Sequence, residues 1–152
     1  MKKIELTKRQ HVMVDDEDFD WLNQWKWYTL VNRRKKYAVR RPTTGVILMH
    51  RLIMNTPDGM VVDHINGNGL DNQKVNLRNC TDGENKRNRN MPRGNTSGLK
   101  GVSWSKQNKK WDARISTNNK QICLGTFSNK EDAYRAYVDA CQKYHGNFAK
   151  YD

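Results

Sequence analysis

A polar segment at residues 86–98 divides the sequence into two parts, and this division most constrains how the chain folds. The segment contains one proline, two glycines and a single apolar residue, Met91. A stretch of this composition buries almost nothing, so it is typical of a linker or a solvated loop. Its basic groups also suit contact with phosphates. We therefore expect two small domains, residues 1–90 and 99–152, joined by a linker at residues 91–98.

The composition indicates a polyanionic partner. Only 36% of the 152 residues are hydrophobic, too few for one large core, and the net charge is +12. Residues 1–90 carry 17 basic and 11 acidic groups, and residues 91–152 carry 11 and 5, so each part contributes +6. Such a surplus favours nucleic acid or an anionic membrane surface.

The membrane alternative is the weaker of the two. The apolar run near residues 45–49 is far too short to span a bilayer. No apolar stretch follows the lysines after Met1, so we predict no signal peptide and a cytoplasmic location, which is the host cytoplasm if the protein is phage-encoded. Three widely spaced cysteines without a CxxC pair predict neither a disulfide framework nor a zinc site.

The N-terminal part begins with short predicted strands and one helix. Acidic residues 15–18 stand where a helix begins and the helix dipole favours them. Residues 32–36 contain four basic groups and form a predicted turn between two strands. Such a turn is usually a solvated hairpin tip, although it could also reach a phosphate.

Residues 61–88 carry the predicted chemistry. A strand ends at Asp63-His64, a tight Asn/Gly loop follows, a second strand begins at Leu77, and a short helix contains Asn85. This strand–loop–strand–helix order brings Asp63, His64 and Asn85 together. Carboxylate and amide oxygens suit Mg²⁺, and an imidazole beside the ion can take a proton from water. Metal and base near a phosphodiester predict hydrolysis.

This pattern resembles the ββα-metal HNH nucleases, in the His-Asn-Asn form of phage and intron-encoded homing endonucleases. The matching residues are Asp63-His64, Asn76 after eleven residues and Asn85 after eight more, with the neighbouring stretches His50–Ile53, Asp71-Asn72 and Asn76–Arg78. The resemblance implies catalytic roles for His64, Asp63 and Asn76. His64 is then the general base, Asp63 and Asn85 hold one Mg²⁺ or Mn²⁺, and Asn76 orients His64 through its other ring nitrogen. We expect a structural role for His50.

The C-terminal part shows strand alternation followed by a helix. Trp111, Ala113 and Ile115 alternate with polar residues, and Trp104 is expected in the same core. Ser128 and Glu131 match a capping box, and apolar residues follow at helical spacing up to Gly146. The pattern predicts a three-stranded antiparallel sheet covered on one face by a helix, with strands at residues 99–105, 110–117 and 121–127.

This part resembles the plant Apetala-two/ethylene-response-factor DNA-binding domain. The resemblance rests on residues 97–102, Lys110-Trp111, residues 124–127, Glu131–Ala133 and His145-Gly146, among others. It implies DNA contacts by the uncovered sheet face and its turns. The candidate residues are Lys100, Ser103, Lys106, Lys110, Arg114, Ser116 and Gln121.

The sequence thus predicts an α+β protein with a ββα-metal nuclease core at about residues 46–90. The predicted function is a divalent-metal-dependent DNA endonuclease of homing type that nicks or cuts both strands. The alternatives are a DNA-binding regulator with a decayed nuclease unit and an RNA-binding protein. We expect double-stranded DNA as partner, a monomeric state, and neither a membrane partner nor a small-molecule cofactor.

Overall fold

The computed structural model describes residues 1–32, 35–88, 91, 94–117 and 120–151. It divides into two compact units, Met1–Asp82 and Gly83–Asp152. Both units mix small antiparallel sheets with helices, so the predicted α+β class is confirmed. Arg33 and Arg34 of the predicted basic turn, and part of the predicted linker, lie outside the described residues. The predicted domain bounds stay a prediction.

The first unit contains three small antiparallel sheets. Strands β1 and β2 form a hairpin, β3, β4 and β5 form a second sheet in that order, and β6 pairs with β7. In chain order the elements are β1 (Lys2–Leu6), β2 (Gln10–Val14), α1 (Asp16–Asn23), β3 (Tyr28–Asn32), β4 (Lys35–Arg40), β5 (Ile47–Leu48), α2 (Met49–Ile53), β6 (Val61–His64) and β7 (Leu77–Cys80).

The core of the first unit lies between the β1–β2 hairpin, α1 and α2. Trp27 is 1% exposed, and its indole Nε1 donates a hydrogen bond to the carbonyl of Leu22 at 2.8 Å. This bond satisfies the polar atom of a large buried ring. The buried residues of this core are Ile4, Leu6, Val12, Val14, Leu22, Trp27, Ala38 and Met49.

The second unit begins with most of α3 (Asp82–Arg87) and continues into the predicted sheet. The sheet order is β10-β9-β8, and all pairs are antiparallel. A register shift between Cys123 and Gly125 interrupts the β9–β10 ladder. The remaining elements are β8 (Val102–Ser105), β9 (Lys110–Thr117), β10 (Lys120–Phe127) and α4 (Lys130–His145).

Helix α4 covers one face of this sheet, as the apolar spacing predicts. Its buried residues include Tyr137 and Cys141, which pack against Ile115 of β9. Gly101 has a φ of +75°, and a Cβ at this position would overlap the ring of Tyr137. Only glycine therefore allows the chain to pass this close to the helix. In the described part of the chain, no helix is long and apolar enough to cross a membrane.

Two details of the second unit differ from the sequence predictions. The helix cap is Asn129 rather than Ser128, because the Asn129 side chain accepts a hydrogen bond from the Glu131 amide at 2.9 Å. Trp104 is 45% exposed rather than buried. It lies on the edge strand β8 beside the turn at 106–109, and the ring of Trp111 packs against it edge-on at 5.0 Å.

Candidate active site

Strand β6 ends with the two residues that the sequence singled out. Asp63 is 3% exposed and His64 is 6% exposed. In the β6–β7 ladder, Asp63 is opposite Arg78 and His64 is opposite Leu77. Successive side chains of a strand point to opposite faces. The two groups are therefore neighbours in sequence with different surroundings.

Asp63 forms an ion pair with its cross-strand neighbour. Arg78 donates to Oδ2 of Asp63 from Nε at 2.9 Å and from Nη2 at 2.6 Å. The short contacts are those of a charge-assisted pair, and the positive charge offsets the cost of burying a carboxylate. Both contacts fall on the same carboxylate oxygen.

His64 contacts Asn72, which the resemblance included without assigning it a role. The ring Nε2 lies 2.9 Å from Oδ1 of Asn72, and Asn72 is fully buried. In the tautomer that matches this acceptor oxygen, Nε2 carries the hydrogen and Nδ1 holds the lone pair. Asn72 is itself fixed through its backbone, because its amide nitrogen donates to the carbonyl of Met13 in β2 at 2.8 Å.

Several groups act on the charge state of His64. Burial lowers its pKa, because the imidazolium form loses hydration. The bond to Asn72 and the negative charge of Asp63 oppose this shift, whereas the positive charge of Lys35 adds to it. The net shift is downward, so the ring is neutral at pH 7 and able to accept a proton.

Two aromatic rings border His64. The His50 ring is nearly perpendicular to it with centroids 5.0 Å apart, and the Tyr37 ring is 5.9 Å away. Burial and the neighbouring His64 lower the pKa of His50 to about 3, and its Nδ1 has no hydrogen-bond partner in the described structure. His50 is thus a neutral ring packed against His64.

Asn76 holds the loop between β6 and β7. Its Oδ1 accepts from the backbone amide of Asn66 at 2.9 Å, and its Nδ2 donates to the carbonyl of Asp71 at 2.8 Å. The resemblance implied that Asn76 orients His64. In the described structure Nε2 of His64 contacts Oδ1 of Asn72 and the side chain of Asn76 bonds to the loop, so the orienting role of Asn76 stays a prediction.

The N-terminal segment secures the same loop from outside. Oδ2 of Asp15 accepts from the backbone amide of Lys74 at 2.8 Å, and Met13 accepts from Asn72 and donates to Leu70. The acidic run at 15–18 was predicted to serve the helix dipole. Asp15 precedes α1 without a side-chain capping bond and contacts the loop instead.

The donor chemistry at Asp63 fits a hard divalent ion. Mg²⁺ is commonly held by one or two carboxylates together with waters and substrate phosphates. Asn85, the second predicted ligand, lies on α3 in the second unit and is half-buried. Its role as a ligand stays a prediction. Among the described residues, no group of three or more histidine, cysteine and acidic side chains is arranged to hold a metal.

Five predicted DNA-binding groups, Ser103, Lys110, Arg114, Ser116 and Gln121, lie on the uncovered face of the second unit's sheet, whereas Lys106 is in the turn between β8 and β9 and Lys100 precedes β8. Most are exposed, but Lys100 is half-buried and its Nζ donates to the carbonyl of Lys150 at 2.8 Å. The exposed members are Ser103, Lys106, Lys110, Arg114, Ser116 and Gln121.

The same face carries an acid that the sequence prediction did not weigh. Asp112 lies two residues before Arg114 on β9, and its Oδ2 is 3.2 Å from Nη2 of Arg114. Its other oxygen accepts from the Thr126 hydroxyl at 3.0 Å. The strand alternation that placed Arg114 outward also predicts this position for Asp112.

Comparison with known proteins supports the nuclease prediction. The sequence model of a family described as HNH endonuclease matches residues 55–87, the segment that contains Asp63, His64, Asn72, Asn76 and Asn85. Protein 3.8 of Escherichia phage T7 is 37% identical over 95 residues, which cover 62% of this chain and 78% of that protein. No solved structure matches. The chain therefore belongs to the same family as the phage T7 Protein 3.8, and its residues 55–87 are a segment of the HNH endonuclease type.

Proposed function

We propose that this protein is a divalent-metal-dependent DNA endonuclease of the homing type, with His64 as general base and the C-terminal sheet as a targeting surface. The observation that carries the proposal is the His64–Asn72 hydrogen bond at the end of β6, in the residue that follows Asp63 along the strand. A neutral, oriented imidazole in a segment that also contains a hard oxygen ligand suits hydrolysis of a phosphodiester.

In this mechanism His64 accepts the proton of the attacking water through Nδ1. Asn72 keeps Nε2 protonated and the ring fixed, so that the lone pair of Nδ1 points in a constant direction. Asp63 and Asn85 are the residues that would hold Mg²⁺ or Mn²⁺. When bound, the ion supplies stabilisation of the charge that develops on the phosphate and the leaving oxygen.

One observation favours a second candidate function. Arg78 already occupies Oδ2 of Asp63 at 2.6 Å, and a carboxylate committed to arginine is a poorer metal ligand. A non-catalytic DNA-binding regulator would keep this ion pair as a purely structural contact. Plasmid nicking with Mg²⁺ and with EDTA separates the two functions, because only the nuclease converts supercoiled plasmid to open or linear forms.

His64→Ala is expected to abolish cleavage and to leave DNA affinity nearly unchanged. General-base catalysis contributes on the order of 10²–10⁴-fold in rate and little to binding. Single-turnover cleavage and gel shift measure the two effects. His11→Ala is the matched control, since His11 is an exposed histidine on β2. A His64→Ala variant that cuts at the wild-type rate would exclude His64 as the base.

Asn72→Ala is expected to lower kcat by about 10²-fold, the loss typical of a misoriented catalytic group. Asn72→Asp retains an acceptor oxygen at the same place and is expected to recover part of the rate. The KM for DNA should be similar in both variants, because Asn72 is fully buried. If Asn72→Ala melts below the assay temperature, the rate of Asn72→Asp relative to the wild type tests the orienting role. Equal rates for Asp and Ala variants that both fold would contradict the orienting role.

Asp63→Ala is expected to raise the Mg²⁺ concentration needed for half-maximal cleavage more than Asn85→Ala does, because the carboxylate carries the formal charge. Excess Mn²⁺ should partly restore Asn85→Ala. A metal titration with a parallel thermal melt measures these effects. If Asp63→Ala unfolds because Arg78 loses its partner, Asn85→Ala still tests the metal site, since Asn85 is only half-buried. Full wild-type activity in EDTA would rule out the metal mechanism.

Arg114→Gln is expected to weaken DNA binding more than Lys106→Gln. A strand-centred arginine can reach a guanine edge, worth roughly 1–3 kcal/mol of discrimination, whereas a turn lysine contacts only phosphate. Asp112→Asn should tighten non-specific binding and steepen the log–log salt dependence by about 0.9 if the released Arg114 gains one phosphate contact. Gel shifts across a salt series measure both. Equal losses for Arg114→Gln and Lys106→Gln would contradict base contact.

A further inference from the structure

The turn between β1 and β2 is strained and exposes two basic side chains. Lys8 and Arg9 have φ values of 63° and 54°, and both are exposed. Side chains other than glycine and asparagine rarely adopt this left-handed conformation, because it brings Cβ against the backbone. Strain of this kind is often retained where a side chain serves a function. Two consecutive basic residues are displayed here in a fixed turn.

A second basic group lies beside this turn. Lys35 and Lys36 begin β4, and both are exposed. Nζ of Lys36 donates to Oε1 of Gln10 at 2.8 Å, directly after the turn. Thr7 accepts from the amide of Thr29 in β3 and from its hydroxyl, at 3.2 and 3.1 Å. These bonds hold the β1–β2 turn beside β3 and β4 within the first unit.

Strand β4, which begins with Lys35 and Lys36, also contacts the candidate active site. Tyr37, two residues after Lys35 on the same face of β4, has its ring 5.9 Å from that of His64. Gly69 of the loop between β6 and β7 packs so closely on β4 that a Cβ there would overlap the Lys36 carbonyl. The positive charge of Lys35 also reaches His64 and lowers its pKa.

Salt bridges of the first unit lie away from the β1–β2 turn. At the other end of the β1–β2 hairpin, Lys2 approaches Asp20 at 4.0 Å, and Lys74 is ion-paired with Glu17 at 2.6 Å. In the described part of the chain, none of the four residues Lys8, Arg9, Lys35 and Lys36 forms a salt bridge. Their charge is therefore open to a polyanion.

We propose that Lys8, Arg9, Lys35 and Lys36 form a phosphate clamp that holds the DNA backbone next to the phosphodiester cleaved at His64. The proposal rests on the proposed nuclease function and extends it, because it assigns a DNA-contacting surface in the first unit. The partner is duplex DNA. Four exposed cations that lack acidic partners suit its phosphates, and Lys35 shares a face of β4 with Tyr37, whose ring lies 5.9 Å from that of the proposed base.

The test removes the charges and preserves the turn. In Lys8→Asn/Arg9→Asn the side chains are neutral, and asparagine tolerates positive φ, so the turn is expected to persist. Lys2→Gln/Lys3→Gln is the matched control, because it removes two charges from the opposite end of the same hairpin. Both variants are made in the full chain and compared by thermal melting.

Duplex binding is measured in EDTA, where no cleavage occurs, across a series of salt concentrations. The turn variant is expected to lower the log–log salt slope by roughly 0.9 for each lost phosphate contact, and the control to change it little. Lys35→Gln should lower the slope by a single contact. In Mg²⁺, the turn variant should raise KM and leave kcat near the wild-type value, because the lost contacts stabilise the bound substrate and the transition state equally.

The outcomes separate the clamp from the nuclease. If the wild type cuts DNA and the turn variant has the wild-type slope, the clamp is wrong and the nuclease stands. If the wild type never cuts but the slope falls as expected, the surface binds DNA and the proposed nuclease function is wrong. A larger loss of affinity for duplex RNA than for duplex DNA, or an equal loss in the control, would also overturn the clamp.

Discussion

The loop between β6 and β7 owes its shape to backbone pairing with a strand from outside the HNH segment. Met13 of β2 donates to the carbonyl of Leu70 at 2.9 Å and accepts from the amide of Asn72 at 2.8 Å. This pairing fixes Asn72, whose side chain then orients His64. A buried amide or imidazole without a partner costs about 1–3 kcal/mol, so the bond at 2.9 Å also stabilises the position of the ring. Residues 55–87 carry the chemical groups, but the N-terminal hairpin aligns them.

Burial of His64 and Asp63, and the ion pair of Asp63 with Arg78, determine the electrostatics of this site. Burial lowers the pKa of His64, which keeps the ring neutral and able to act as a base. The same burial would penalise the Asp63 carboxylate, and Arg78 offsets that penalty at 2.6 Å. The buried charge of Asp63 is thus paired, and exposed basic residues lie in the β1–β2 turn, at the start of β4 and on the C-terminal sheet. This division suits an enzyme that attracts a polyanion to its surface and performs acid–base chemistry beneath it.

Local patterns in the sequence were sufficient for most elements. Alternation along residues 110–117 predicted β9 with the correct bounds, and the Asp63-His64 strand end was predicted at the correct place. The helix cap was one residue off, since Ser128 and Asn129 are both good caps and only the fold selects between them. The hydrogen-bond partner of His64 could not be predicted from local sequence patterns. The loop contains asparagines at 66, 68, 72 and 76, and the one that meets the ring depends on loop geometry. Asp15 and Gln73 are 58 residues apart, a contact that no local period predicts.

The two proposed DNA surfaces would act more strongly together than either alone. The C-terminal sheet offers one arginine at its centre, and Oδ2 of Asp112 lies 3.2 Å from its guanidinium. Contact with phosphates adds little binding affinity at such a face. A base edge that approaches Arg114 must compete with Asp112 for the guanidinium. This competition favours selectivity over affinity. In the described part of the chain, the proposed clamp residues of the first unit form no salt bridge and would favour affinity without readout. Because the units are covalently joined, binding by one surface would raise the effective concentration of the other, and a selective contact combined with a charge-driven contact would direct the proposed cleavage better than either alone.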